Sequence, residues 1–205
     1  KVVGLDTAES APTECNFAVN PISQPGRTVT LNSIQPGSTY YPAIEYLHSR
    51  GLDLQKLATD YDVQFIVQGY RYKIINNRIF IPFYRDRQLI GWQAREVPCW
   101  GQSDMKYFTS PNGLGGLLYG LGTAVKSPVS CVVEGVFDRF AVGDSSFALL
   151  TKSFRSTQLA RLRQCSNISS TELFVILLDP LRSMADCLSG KPHHIEVATT
   201  VLSSI

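Results

Sequence analysis

Val129-Ser-Cys-Val-Val-Glu-Gly-Val-Phe-Asp138 is the stretch on which the fold turns. Val129 to Val133 reads as a strand of buried type, it stops at the acid–glycine step Glu134-Gly135, and a short helix is expected over residues 136–142. The same rhythm continues downstream. Phe147-Ala-Leu-Leu-Thr151 is a second strand, Ser156 is placed to cap a helix over 157–164, and Leu173-Phe-Val-Ile-Leu-Leu178 is a third strand that stops at Asp179-Pro180. Apolar strands separated by short helices indicate a parallel sheet with both faces covered. In such sheets ligands bind beyond the carboxyl ends of the strands. Right-handed crossovers in the order 2-1-3 make the first and third strands neighbours. Glu134 and Asp179 then face each other across about 5 Å. Carboxylates that close repel unless a divalent cation or a proton separates them, and Asp138, one helical turn on, is placed to join them. Turn chemistry alone also puts Asp and Gly at strand ends, so the spacing by itself leaves a cation site and a plain turn both open.

Upstream the rhythm differs. Pro42-Ala-Ile-Glu-Tyr-Leu-His-Ser-Arg-Gly51 reads as a short helix, with Pro in its first turn and Gly at its stop. Asp53 caps a second helix whose apolar face is Leu54, Leu57, Ala58 and Tyr61. Strand chemistry begins at Tyr72. Arg78-Ile-Phe-Ile-Pro-Phe-Tyr84 and Leu89-Ile-Gly-Trp-Gln-Ala-Arg95 flank a polar Arg85-Asp-Arg-Gln88 turn, which makes a hairpin, and Pro82 suggests an edge position or a bulge. Lys106-Tyr-Phe-Thr-Ser-Pro111 is a further short strand, and residues 112–122 hold five glycines in eleven positions, too flexible for a regular element. Residues 1–38, with Pro12, Pro21, Pro25, Pro36, Gly26 and Gly37, read as an extended arm or loose strands without a core of their own. An α+β front half therefore feeds a βαβαβ rear half. The expected division is 1–38 arm or linker, 39–122 front subdomain of helices plus hairpin, and 123–205 α/β subdomain with a mainly parallel sheet, possibly cut short at its C-terminus.

Composition bounds the function. The 205 residues are 44% hydrophobic, enough for a core, and 18% charged, below the roughly 25% usual for soluble domains. Long charged tails are thereby excluded. The longest convincing apolar run, 173–178, is far short of the about 20 residues needed to span a bilayer, so no membrane partner is expected. The start at Lys1 lacks both an initiator Met and a signal-peptide core and reads as internal to a longer polypeptide. The net charge of +2 is unevenly spread: residues 71–106 hold seven basic side chains against Asp86, Glu96 and Asp104. That local excess suits a phosphate backbone, though a soluble hairpin with charged edges has the same composition. The five cysteines are all at least 22 residues apart, which leaves no CxxC pair for a zinc site and no disulfide framework. A reducing, intracellular setting is expected.

Val132-Val-Glu-Gly-Val-Phe-Asp138 resembles the EGxxD motif of the TOPRIM fold, shared by primases, topoisomerases and some nucleases. Ala43 to Gly51 resembles the A-x-x-Y-L-x-x-R-G helix of DnaG-type primases, the bacterial and phage enzymes. Arg78-Ile-Phe-Ile-Pro82, Ile90-Gly-Trp-Gln-Ala-Arg95, Lys106-Tyr-Phe-Thr-Ser-Pro111 and Leu118-Tyr-Gly-Leu121 look like successive landmarks of that catalytic core, in the family order. Leu149-Leu-Thr151 followed by Gln158 is similar to the family's GT-x-x-T…Q stretch. Together these cover about residues 40–182. The resemblance implies Glu134 as catalytic acid, Asp179 as the first acid of a DxD motif, both handling Mg²⁺ or Mn²⁺, and Asp138 as the acid that closes EGxxD. It also implies Arg78, Arg95 and Lys106 as contacts for template or nucleotide phosphates. Three strands are expected to align those three on one surface beside Glu134. For Trp92, packing on the hairpin is preferred to stacking on a base.

The chain also departs from the pattern. Leu181 stands where DxD requires an acid, Met184 replaces the glycine that follows, and a lysine often found before LYGL is missing from the Gly113 to Gly116 stretch. The resemblance implies primer synthesis on single-stranded DNA from ribonucleotides, in the cytoplasm of a bacterium or a phage-infected host, with a replicative helicase as a possible partner and a phage or mobile element as source. Two alternatives stand beside it: a catalytically degenerate TOPRIM module that binds DNA or a replication partner, and a TOPRIM nuclease.

Overall fold

The computed structural model describes residues 20–101, 104–151, 154–166, 173–177 and 198–199. Two sheets organise them. The first is antiparallel and runs in sequence order: β1 (Gly26–Thr30), β2 (Gln64–Gly69), β3 (Arg78–Arg85), β4 (Gln88–Glu96) and β5 (Tyr107–Thr109). The second has the order β7-β6-β8-β9, from β6 (Val129–Val133), β7 (Ser146–Ala148), β8 (Leu173–Leu177) and β9 (Ala198–Thr199). Strand β6 pairs in parallel with both β7 and β8, so the 2-1-3 arrangement is present. The antiparallel edge strand β9 is an addition that the sequence pattern does not announce.

The helices follow their local signals. In α1 (Tyr41–Ser49) Pro42 occupies the first turn, and Ala43, Ile44 and Leu47 bury one face at helical spacing. Gly51, at φ 70°, takes the left-handed conformation that ends the helix region, as a C-terminal glycine does. In α2 (Leu54–Thr59) the Asp53 carboxylate accepts the Lys56 N–H at 3.0 Å, the expected cap. The rear half adds the single turn α3 (Leu121–Ala124), α4 (Val136–Val142) and α5 (Ser156–Ser166).

The hairpin β3–β4 is closed by Asp86 and Arg87, both at positive φ (49° and 63°). Two left-handed residues in succession give the twist that a two-residue hairpin loop requires. Strand β3 is not an edge strand: it lies between β2 and β4. Pro82 is tolerated because β2 pairs only with Arg78, Ile79 and Phe80 and has ended before it. No ladder bond on that side asks for its missing N–H. A bulge does occur, one step further on, between Phe83 and Tyr84.

Part of the stretch expected as an extended arm or loose strands joins the first sheet and the core. Residues 26–30 form β1 at the edge of the first sheet, and Leu31 and Ile34 are buried in the core. Strand β2 also lacks a clear pattern in the sequence, since its apolar run Phe65-Ile-Val67 is only three residues long.

One core joins the two halves. Ile79, Ile81 and Phe83 of β3 pack with Ala43, Ile44 and Leu47 of α1 and with Val136, Phe137 and Phe140 of α4. Helix α4 therefore lies against the first sheet while it leads out of the second. On the opposite face of the first sheet Ile66, Phe80, Trp92 and Ala94 form a separate cluster with Ile75, against which Ile22, Tyr72, Leu89 and Phe108 pack. This double covering explains why Arg78 to Phe83 in β3 and Ile90 to Arg95 in β4 are buried residue after residue rather than in alternation.

Candidate active site

Glu134 is the first residue beyond β6, at the carboxyl end of the central parallel strand, and is half-buried. Its carbonyl accepts the Leu150 N–H at 2.9 Å, and the Val133 carbonyl accepts the Leu149 N–H at 2.9 Å. The segment after β7 thus stays laced to the segment that carries the acid. Gly135 precedes α4, and its N–H donates to the Asp138 carboxylate at 2.9 Å. A helix leaves its first N–H groups without internal partners, and an acid in the first turn satisfies one of them. Asp138 is thereby fixed on the start of α4, one turn from Glu134, with one oxygen committed to the backbone.

Strand β8 ends at Leu177 directly beside Val133. Asp179 follows two residues later and lies outside the described residues, as do Leu181 and Met184. The neighbouring strand ends that would bring Glu134 and Asp179 together are therefore present. Among the described residues no group of three His, Cys, Asp or Glu side chains is arranged to hold a metal. The acids at the carboxyl end of β6 are oxygen donors, which suits a hard divalent cation more than zinc.

The three basic residues do not share one surface, contrary to the sequence expectation. Arg78 pairs with Glu96 across β3–β4, and Arg95 pairs with Ile79, one position on. Alternation along a strand sends such neighbours to opposite faces. Arg78 is 3% exposed and donates to the carbonyls of Ile74 (2.9 Å), Ala94 (3.3 Å) and Met105 (2.8 Å) and to the Glu96 carboxylate (3.4 Å). Burial lowers its pKa from the usual arginine value, against the raising influence of Glu96. Arg95 lies on the α4 side. Its Nε and Nη2 donate to the Tyr46 hydroxyl at 3.0 and 2.7 Å, and its guanidinium stands over the rings of Tyr107 (4.7 Å) and Phe137 (5.5 Å). Lys106 is exposed, and the Glu96 N–H to Lys106 carbonyl bond continues the β4–β5 register, which puts it on the Arg78 side. Trp92 is 2% exposed and stacks on Phe108 with ring centroids 5.9 Å apart, so it packs the sheet as preferred.

No protein-family model and no curated protein matches the chain. Solved structures do. The catalytic core of E. coli primase is similar at TM-score 0.55 and 22% identity, over 74% of this chain and 59% of that one. A DnaG primase catalytic domain bound to ssDNA is similar at TM-score 0.55 and 23% identity, over 74% and 57%. The RNA polymerase domain of Mycobacterium tuberculosis primase DnaG, in complex with a double-stranded DNA oligomer with an overhang, is similar at TM-score 0.54 and 20% identity, over 71% and 59%. The chain has a DnaG-like primase fold. It spans less than two thirds of the length of those cores.

Within this primase-like fold the quoted landmarks have clear physical tasks. Gln158 of α5 is fully buried; its amide donates to the carbonyls of Leu117 (3.0 Å) and Leu149 (2.7 Å) and accepts the Arg155 N–H (2.9 Å). It ties the glycine-rich loop, the end of β7 and the start of α5 into one unit. Tyr119 forms a two-way bridge with Ala148, which brings Leu118-Tyr-Gly-Leu121 alongside the second sheet. Tyr46, the fixed Y of the A-x-x-Y-L-x-x-R-G resemblance, has no role assigned to it by the sequence and holds Arg95. One further contributor escapes a reading of the sequence. Arg139 carries no motif signal; it is 3% exposed, lies between the rings of Tyr61 (4.8 Å) and Tyr119 (5.4 Å), and donates to Thr123 Oγ1 at 3.1 Å.

Proposed function

We propose that the chain is the core of a DnaG-type primase, with its rear half as a TOPRIM unit that joins ribonucleotides on a single-stranded DNA template. The observation that carries this reading is the placement of Glu134 at the carboxyl end of the central parallel strand, on a fold similar to primase catalytic cores. Open parallel sheets present their chemistry at that end.

In this reading Glu134 and Asp179 hold Mg²⁺ or Mn²⁺. The bound cation supplies charge neutralisation at the transferring phosphate and lowers the pKa of the attacking 3′-hydroxyl. Asp138 orients the first turn of α4 through its bond to the Gly135 N–H, which keeps the Glu134 backbone in place. Arg95 contributes positive charge on the α4 side, over the rings of Tyr107 and Phe137. Lys106, exposed just before the edge strand β5, draws the phosphates of the template or of the incoming nucleotide. Arg78 braces β3 against β4 through the carbonyls it bonds. A replicative helicase and a phage or mobile-element context belong to the same reading.

Leu181 favours a second reading, a TOPRIM module that binds single-stranded DNA without turnover, because leucine removes one oxygen ligand of the DxD pair. Incubation of the protein with a labelled single-stranded template, four ribonucleotides and Mg²⁺ or Mn²⁺ separates these. Short oligoribonucleotides are expected; template binding without product supports the second reading, and shortened template identifies a nuclease.

A further inference from the structure

The stretch that leads from β2 into β3, Gly69-Tyr-Arg-Tyr-Lys-Ile-Ile-Asn76, interleaves aromatic and basic residues, and the sequence holds no Asp or Glu between Asp62 and Asp86. The site described above uses none of it. Tyr70 is 73% exposed, and Arg71, Lys73 and Ile74 beside it are exposed as well. Among the described residues neither Arg71 nor Lys73 is paired with a carboxylate. The Arg71 guanidinium stands over the Tyr72 ring at 5.4 Å.

This stretch is firmly tied down. The Gly69 N–H donates to the Asn76 side-chain carbonyl at 2.7 Å, which closes the loop at its neck. The Tyr70 N–H donates to the Pro25 carbonyl at 2.9 Å, and the Asn76 N–H to the Lys73 carbonyl at 3.0 Å. Ile75 is fully buried, and Tyr72 packs on Phe108 with ring centroids 5.2 Å apart. Tyr70 is thus an open ring on an anchored backbone, and a ring already placed loses little freedom when a flat ligand covers it. Arg78 extends the surface from below: its Nε bonds the Ile74 carbonyl at 2.9 Å and its Nη1 the Met105 carbonyl at 2.8 Å, which sets exposed Ile74 beside exposed Met105. The strip lies on the face of the first sheet opposite α4, where Tyr72 joins the cluster of Phe80 and Trp92.

An open aromatic ring answers the face of a base, and flanking cations answer the phosphates; single-strand binding without sequence preference is built from that pairing. A duplex keeps its base faces inside the stack, and a primer is paired with its template. The unpaired template presents faces and phosphates together. We propose that the strip is a stacking platform for that strand: a base of single-stranded DNA covers the Tyr70 ring, and Arg71 and Lys73 take the adjacent phosphates. The inference rests on the reading of the chain as a primase core and adds to it a template contact on the face away from α4.

The test is a titration of the full chain against a fluorescent single-stranded oligodeoxynucleotide, followed by anisotropy. Tyr70→Ala is expected to weaken binding at least about fivefold, whereas Tyr70→Phe, which keeps the ring, binds as wild type. Each phosphate contact contributes a slope of about −0.7 in log affinity against log salt. Wild-type affinity should therefore fall about sevenfold more between 50 and 200 mM salt than that of Arg71→Gln/Lys73→Gln. Should Tyr70→Ala melt early, this glutamine pair, at exposed positions, decides the matter. An equal loss in Tyr70→Phe and Tyr70→Ala overturns the stacking, and an equal loss on a duplex overturns the assignment to unpaired template. Wild-type affinity and salt slope in both Tyr70→Ala and the glutamine pair overturn the platform, leave the primase reading intact and give the strip to a protein partner instead. A wild-type chain that binds no oligonucleotide overturns both.

Discussion

A methyl group at position 120 would stand 1.8 Å from the Nε of Arg139, on a backbone at φ 86°. Both features demand glycine: the left-handed conformation costs an L residue about 1 kcal/mol, and Arg139 cannot retreat because Tyr61 and Tyr119 enclose it. Gly120→Ala is expected to destabilise the fold by about 2–4 kcal/mol, read as a fall in the urea midpoint at constant m-value; an unchanged midpoint contradicts the packing described. Arg78 makes a contrasting case. Removing its guanidinium takes away the donors to the carbonyls of Ile74, Ala94 and Met105 and the cation of the Glu96 ion pair. Arg78→Met is expected to cost about 3 kcal/mol with no change in the salt slope of single-strand binding. A stable variant with a shallower slope would return Arg78 to the phosphate surface. The sequence could not separate Arg78 from Arg95, because face assignment depends on a register of one residue. The Arg78↔Glu96 pairing decides it, and spacing within the chain does not.

At the scale of elements, α2 and α4 are clipped together by Asp144. Its carboxylate takes Lys56 Nζ at 3.2 Å and the Tyr61 hydroxyl at 2.8 Å, with Arg139 Nη2 at 3.4 Å. Burial alone would raise its pKa, but the hydrogen bonds from Tyr61 and Lys56 and the charges of Lys56 and Arg139 outweigh it and hold the carboxyl below the usual aspartate value. A depressed carboxylate contributes stability above its ordinary pKa and loses it as pH falls through the folded value. Asp144→Asn should therefore melt below the wild type at pH 7, and the gap should close under acid conditions; a gap that persists at pH 2–3 contradicts the clip. Helices α1, α2, α4 and α5 and the β3–β4 hairpin were legible because caps, breakers and periodicity are local, whereas the single turn α3 begins inside the glycine-rich stretch read as irregular. Strands β1 and β2 were not: GRTVT sits among prolines and glycines, and Phe65-Ile-Val67 is too short to set a period. They become strands because β3 offers an edge to β2, β2 offers one to β1, and the core takes up Leu31, Ile34 and Phe65.

At the scale of the molecule, α4 makes the two sheets interdependent. Phe137 packs against Arg95, Tyr46 and Phe140 and shares a core with β3 and α1. Phe137→Ala is expected to cost about 3–5 kcal/mol and to shift a single transition. Far-UV circular dichroism, which reports both sheets, and the fluorescence of Trp92 and Trp100, which reports the first, should move together; two separated transitions would show independent halves. The parallel sheet and the position of Glu134 were legible from strand–acid–helix order. The 2-1-3 strand order was an assumption that the pairing of β6 with β7 and β8 bears out. The shared core was not legible, since nothing in α4's own sequence says what its apolar face meets. The central claim is that Glu134 performs the chemistry of primer synthesis, and the most direct measurement compares wild type with Glu134→Gln for oligoribonucleotide product on a single-stranded template in Mg²⁺ or Mn²⁺. The account predicts that product falls at least about 100-fold while the melting temperature and template affinity stay at wild-type values. Product undiminished in Glu134→Gln would contradict it.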